Sequence, residues 1–115
     1  MSFVRACSLD DLDVGTARLV EIDDVPVCLV RVGPDVVKAV HNTCSHEDYP
    51  LHEGWVSDNE IECALHGSTF DLDSGSPKCL PAVQPIPTFA AKLDAEAVWV
   101  DVDQQLNDAP VPDHS

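Results

Sequence analysis

The chain is built of short β-branched runs broken by turn residues every few positions, and this punctuation limits its fold more than any other feature. Phe3–Ala6 reads as a first strand. Ser8 to Leu12 reads as a single helical turn capped by Ser8. Arg18–Ile22 and Val25–Val32 are joined by Asp23-Asp24, a hairpin signal, and Gly33-Pro34-Asp35 turns the chain into Val36–His41. Trp55-Val56 and Glu60–Glu62 flank Ser57-Asp58-Asn59, while Thr69–Leu72 is ended by Asp73-Ser74-Gly75-Ser76-Pro77. Phe89–Leu93 and Ala97–Val102 form a last hairpin around Asp94-Ala95-Glu96. Alternation is strictest in Ala97–Val102, which sets Val98 and Val100 on one face and Trp99 on the other. No long stretch holds a 3.6-residue apolar period. The expected fold class is all-β, an antiparallel sandwich or barrel.

With 115 residues and no repeat or linker, one domain is expected, large enough for one modest core. Its boundary is read at 1–103, with 104–115, polar and containing proline, as a flexible tail. Acidic residues number 21 against 6 basic, a formal net charge of -15. That excess argues against nucleic acid and against anionic membrane surfaces, both of which need clustered Lys and Arg. No basic segment runs into an apolar one near the N-terminus, and the longest uncharged run, Cys79 to Ala91, contains three prolines. Neither a secretory signal nor a membrane span is read, and a soluble, cytoplasmic protein is expected. The cysteines, Cys7, Cys28, Cys44, Cys63 and Cys79, are odd in number and irregularly spaced, which favours metal binding or buried thiols over a disulfide framework.

Two pairs of soft ligands carry the chemistry. Cys44-Ser-His46 is followed, after sixteen intervening residues, by Cys63-Ala-Leu-His66. Each pair offers a thiolate and an imidazole just after a strand, so two neighbouring loops can bring four ligands together. Gly67 lets the second loop turn, and Asn42, Thr43, Ser45 and Ser68 are candidate donors near the sulfurs. A structural zinc site could use the same four ligands, though zinc more often takes a Cys-x2–4-Cys…His-x3–5-His order. Cys7, Cys28 and Cys79 read as apolar fillers, with Cys28 in the core. His41 reads as a strand-end polar residue, His52 as a solvent-facing residue near a docking surface, and His114 as part of the tail. Trp55 and Trp99 read as core anchors. Glu47, Asp48 and Glu53 could steer docking to basic partners.

Cys-x-His-x16-Cys-x-x-His with Gly-Ser after the last histidine resembles the Rieske [2Fe–2S] proteins. Leu51-His-Glu-Gly54, His66-Gly-Ser-Thr-Phe-Asp-Leu72, Gly75-Ser-Pro77 and Pro81-Ala82 follow that family's order, so the resemblance spans about Phe3 to Val102. It implies a Rieske fold, in which a small cluster-binding subdomain of loops and short strands, about 42–82, sits on a β-sandwich or barrel base. It also implies one [2Fe–2S] cluster, with one iron held by Cys44 and Cys63 and the other by His46 and His66. Pro77 to Pro81 would form a loop covering the cluster, with Leu51, Leu65 and Leu80 packing its buried sides. Two thiolates and two neutral imidazoles leave such an oxidised centre neutral, where four thiolates would make it a dianion. An electron enters a neutral site in low dielectric more readily, so histidine ligation raises the potential.

The departures refine the resemblance. High-potential respiratory relatives carry a cysteine pair that forms a disulfide; the matching positions here are Tyr49 and Leu65. Those relatives tend to have a Tyr hydroxyl bonded to a ligand sulfur, where this chain has Phe70. Both departures, with the missing membrane anchor, resemble the soluble Rieske ferredoxins of multicomponent ring-hydroxylating aromatic dioxygenases. The implied function is one-electron carriage, not catalysis, from a flavin-containing NAD(P)H-dependent reductase to a terminal non-haem iron oxygenase, by a monomer. A potential near the low end of the Rieske range, roughly −150 to +300 mV, is expected. The alternatives are a Rieske ferredoxin serving iron–sulfur assembly or another redox system, the small subunit of a larger oxidoreductase, or a zinc-bearing binding module.

Overall fold

A computed structural model describes residues 3–43, 50–57, 59–64, 69–78, 85–94 and 96–107. Its strands are β1 (Val4–Ser8), β2 (Thr16–Ile22), β3 (Val25–Gly33), β4 (Val36–His41), β5 (Trp55–Ser57), β6 (Glu60–Glu62), β7 (Thr69–Asp71), β8 (Thr88–Asp94) and β9 (Ala97–Gln105). All pairings between them are antiparallel, and two sheets result. Six strands in the order β1-β9-β8-β4-β3-β2 form the larger sheet, and β5-β6-β7 the smaller. The edge strands β1 and β2 approach one another, so the larger sheet curls almost into a barrel. The all-β expectation and the strand placements hold, with ends shifted by a residue or two at most positions.

Turn chemistry explains the hairpins. Ile22 pairs with Val25, leaving Asp23 and Asp24 as a two-residue loop with φ of 52° and 67°. Positive φ at both positions is the condition for a type I′ turn, which Asp tolerates. Leu9–Asp11 form a single 3₁₀ turn. Ser8 stands at its N-cap position, but the hydroxyl makes no capping hydrogen bond, because a three-residue turn leaves few amides to cap.

The base and the subdomain are joined through one strand pair. β4 and β8 are neighbours in the larger sheet, yet β5, β6, β7 and a second 3₁₀ turn, Leu51–Glu53, all lie between them in sequence. At the neck, the His41 N–H donates to Pro87 O (2.9 Å). The single expected core is in fact two clusters. Cys7, Leu12, Ile22, Val27, Leu29, Ala39, Phe89, Val98 and Val100 fill the barrel. Cys28, Val30 and Val40 meet Leu51, Ile61, Cys63, Phe70, Leu72 and Ile86 of the inserted segment in the second. Successive side chains of a strand point to opposite faces, so β3 sends Val27 and Leu29 into one cluster and Cys28 and Val30 into the other. Burial on both faces is why this strand reads as an unbroken apolar run.

Two further expectations need correction. Trp55 is no core anchor: it is 61% exposed, and Trp99 is half-buried with its indole N–H donating to Asp94 O (3.2 Å). The fold also does not end at 103. β9 continues to Gln105, and the Asn107 amide donates to Ser74 O (2.7 Å) and Ile86 O (2.8 Å) while its Oδ1 accepts from the Thr88 N–H (3.1 Å). A polar stretch is ordered here because its side chains satisfy backbone groups that the β-pattern does not reveal. No described helix is long and apolar enough to cross a membrane.

Candidate metal-cluster site

Three segments leave the inserted part from stems that lie close together. Residues 44–49 run between Thr43 and Pro50, which face one another in an antiparallel bridge. The Leu51 N–H then donates to Asn42 O (2.6 Å), and the Asn42 N–H to Pro26 O (2.9 Å), tying the stem to the barrel. Residues 63–68 span the β6–β7 hairpin, closed by the pair Glu62 and Thr69. Residues 79–84 run between Lys78, whose N–H donates to Thr69 O (2.6 Å), and Ile86, whose N–H donates to Gly75 O (2.9 Å). Strand β5 joins the first stem to the second, because Trp55 pairs with Glu62. Just before it, Gly54 packs so tightly that an added Cβ would overlap the carbonyl oxygen of Glu62.

Of the four expected ligands, Cys63 falls within the described residues. It is a free thiol, 2% exposed, at the end of β6 and within the second apolar cluster. Cys44, His46 and His66 lie outside the described residues, as do Ser45, Glu47, Asp48, Tyr49, Leu65, Gly67, Ser68, Cys79, Leu80, Pro81, Ala82 and His114. Leu51, the remaining packing candidate, is fully buried beside Cys63 in the same cluster. Phe70 is fully buried there too, opposite Ile61, and brings no donor.

Asn42 departs from its expected role. It is 5% exposed, and its amide is taken up by His52: Oδ1 accepts from the His52 N–H (2.9 Å) and Nδ2 meets His52 Nδ1 (2.9 Å). The backbone donor fixes the amide orientation, so Nδ2 donates to Nδ1, and a neutral His52 carries its proton on Nε2. Asn42 thus ties the start of the first segment to the 3₁₀ turn that follows it, its amide being taken up by His52, and His52 is half-buried, not turned freely to solvent. No sequence signal marks this pairing, which depends on a 3₁₀ turn ten residues on. His41 is fully buried at the end of β4, where its Nδ1 accepts from the Thr43 N–H (3.2 Å). Burial pushes the Cys28 and Cys7 thiols up from their ordinary range, which keeps both protonated and apolar. Asp71 behaves oppositely: the Ser74 backbone N–H, with help from that of Asp73, holds its carboxyl below the usual range.

The donor chemistry fits an iron–sulfur centre. A buried thiol sits over an apolar floor, and the two sequence segments that carry the remaining ligands leave from adjoining stems. A barrel bearing an inserted three-stranded sheet with Cys–His loops defines the class: a small cluster-carrying protein. The Rieske [2Fe–2S] domain family matches residues 2–90, and the chain belongs to that family. Within it, the chain is similar to ferredoxins. It is 37% identical over 103 residues to the ferredoxin component of biphenyl 2,3-dioxygenase from Rhodococcus jostii, covering 90% of this chain and 95% of that one. Among solved structures it matches the ferredoxin of carbazole 1,9a-dioxygenase from Nocardioides aromaticivorans, with TM-score 0.82, 34% identity, and coverage of 87% and 97%. It also matches a chain in the complex of reduced oxygenase and oxidized ferredoxin of a carbazole 1,9a-dioxygenase, with TM-score 0.79, 30% identity, and coverage of 85% and 91%. The chain is therefore a Rieske ferredoxin, an electron-transfer component and not a catalyst.

Proposed function

We propose that this ferredoxin carries single electrons from a flavin-containing NAD(P)H-dependent reductase to the terminal non-haem iron oxygenase of an aromatic ring-hydroxylating system, as a cytoplasmic monomer. The observation that carries the reading is Cys63, a buried free thiol at the hairpin that leads to His66, next to the stem of the segment holding Cys44 and His46. Cys44, His46, Cys63 and His66 would hold one Rieske cluster, which supplies a reversible one-electron store when bound.

The rest is done by the chain itself. Leu51, Ile61, Phe70 and Leu72 exclude water beneath the ligand segments, so the charge change on reduction is felt in a low dielectric. Asn42 and the Thr43–Pro50 bridge tie the two ends of the first segment to each other. Phe70 withholds a hydroxyl from the sulfurs, which favours a low potential. The named relatives, a ferredoxin component and a ferredoxin bound to its oxygenase, support the choice of acceptor. The test is reconstitution: purified holoprotein, a flavin-containing NADH-dependent reductase and a terminal aromatic-ring oxygenase should give substrate hydroxylation that depends on this chain. Turnover at the same rate without it would overturn the assignment.

A further inference from the structure

Trp55 is the largest exposed apolar side chain among the described residues, and its location is informative. The three-stranded sheet has three cross-strand rows. Val56, Ile61 and Phe70 form the middle row and point into the core. By alternation, the rows on either side face outward: Trp55, Glu62 and Thr69 in one, Ser57, Glu60 and Asp71 in the other. The Trp55 row is the one nearest the ligand segments. Glu62 directly precedes Cys63, Thr69 directly follows residues 65–68, and Trp55 follows the 3₁₀ turn and Gly54 that close the first segment.

The charge around the indole is mostly negative. Glu53 is exposed two residues before it, Glu62 lies across the strand, and Glu60 and Asp71 share the outer face. Lys78 is ion-paired with Glu60. A rigid aromatic flanked by Glu53 and Glu62 is the complement of a hollow with a basic rim, and Trp is a residue type in which interface energy concentrates.

We propose that Trp55 is the docking anchor for the electron-accepting oxygenase, inserting into an apolar hollow on a basic face of that protein while Glu53 and Glu62 steer the approach. This rests on the proposed electron-carrier role and names the contact through which it is exercised. A partner held at the Trp55 row sits beside the stems of both ligand segments, so one small contact both binds and shortens the electron path.

The experiment uses dithionite-reduced holoprotein mixed in a stopped-flow instrument with the terminal oxygenase of the Rhodococcus jostii biphenyl 2,3-dioxygenase. Trp55→Ala should lower the second-order transfer rate roughly tenfold, with Trp55→Phe close to wild type. Both variants should keep the wild-type midpoint potential and reduced paramagnetic resonance spectrum. Glu62→Gln should lower the rate a few-fold at low salt and flatten its salt dependence. An unchanged rate for Trp55→Ala overturns the anchor. So does a slowed rate accompanied by a shifted potential or altered spectrum, which would make Trp55 a support of the ligand segments. Failure of the wild-type protein itself to reduce the oxygenase would instead overturn the electron-carrier reading.

Discussion

Replacing Asn42 by Ala tests the latch on the first ligand segment. The substitution removes two hydrogen bonds of 2.9 Å each, one to the His52 N–H and one to His52 Nδ1. Each is worth about 1 kcal/mol, and leaving two half-buried polar atoms unpaired raises the total to roughly 2–3 kcal/mol. For a domain of this size that lowers the melting temperature by about 10 °C. The assay is thermal unfolding of the oxidised holoprotein at a fixed scan rate, followed by far-ultraviolet circular dichroism and by the visible cluster absorption. The absorption should be lost at or before the backbone transition, because the latch closes the segment carrying Cys44 and His46. Asn42→Asp sharpens the test. One carboxylate oxygen still accepts the His52 N–H, while the other faces Nδ1 and demands that Nδ1 carry a proton. That variant should melt between wild type and Asn42→Ala, because it keeps the hydrogen bond from the His52 N–H. A melting temperature for Asn42→Ala within about 3 °C of wild type would refute the latch. Equal damage from Ala and Asp would refute the hydrogen-bond account of it.

Alanine at Cys44, His46, Cys63 or His66 should abolish the visible absorption and the paramagnetic resonance signal of the reduced protein; a wild-type spectrum in any of the four would remove that residue from the ligand set. The midpoint potential should lie toward the low end of the Rieske range, and a titration giving more than about +100 mV would contradict this; Phe70→Tyr should raise it. Gly54→Ala should give little soluble holoprotein, since its methyl would collide with the Glu62 carbonyl, and a normal yield of coloured protein would show that the stems can separate. Asp71 has a depressed folded-state pKa, so its stabilisation is complete above the ordinary carboxylate range, near 3.9, and fades as pH falls through the folded value. Asp71→Asn should therefore flatten the acid limb of a urea-denaturation series below about pH 4, and an unchanged limb would count against the turn hydrogen bonds as its cause.

Much of this was legible in the residues. Asp23-Asp24 between β-branched runs specified a two-residue hairpin because few other side chains accept positive φ twice, and β2 and β3 pair as that turn demands. Family membership was legible because the spacing of the two Cys–His pairs is rare outside one chemistry. Trp55 was misread since Trp55, Val56 and Ser57 form a strand of three residues, too short for alternation to say which of two adjacent apolar side chains turns inward. The pairing with Glu62, a tertiary fact, decides it. Asn42 and Asn107 were opaque for a related reason. An asparagine amide can satisfy many partners, and the ones it meets here, His52, Ser74, Ile86 and Thr88, are set by how the chain folds back.

The Asn107 clasp also bears on the timing of assembly. A chain is synthesised from its N-terminus, so the segments holding Cys44, His46, Cys63 and His66 emerge from the ribosome well before residue 107. Until that residue emerges, the carbonyls of Ser74 and Ile86, at the base of the third segment, lack their donor. The turn after β7 and the approach to β8 are therefore tied together only when nearly the whole chain has been made, so this clasp is among the last contacts a growing chain can form.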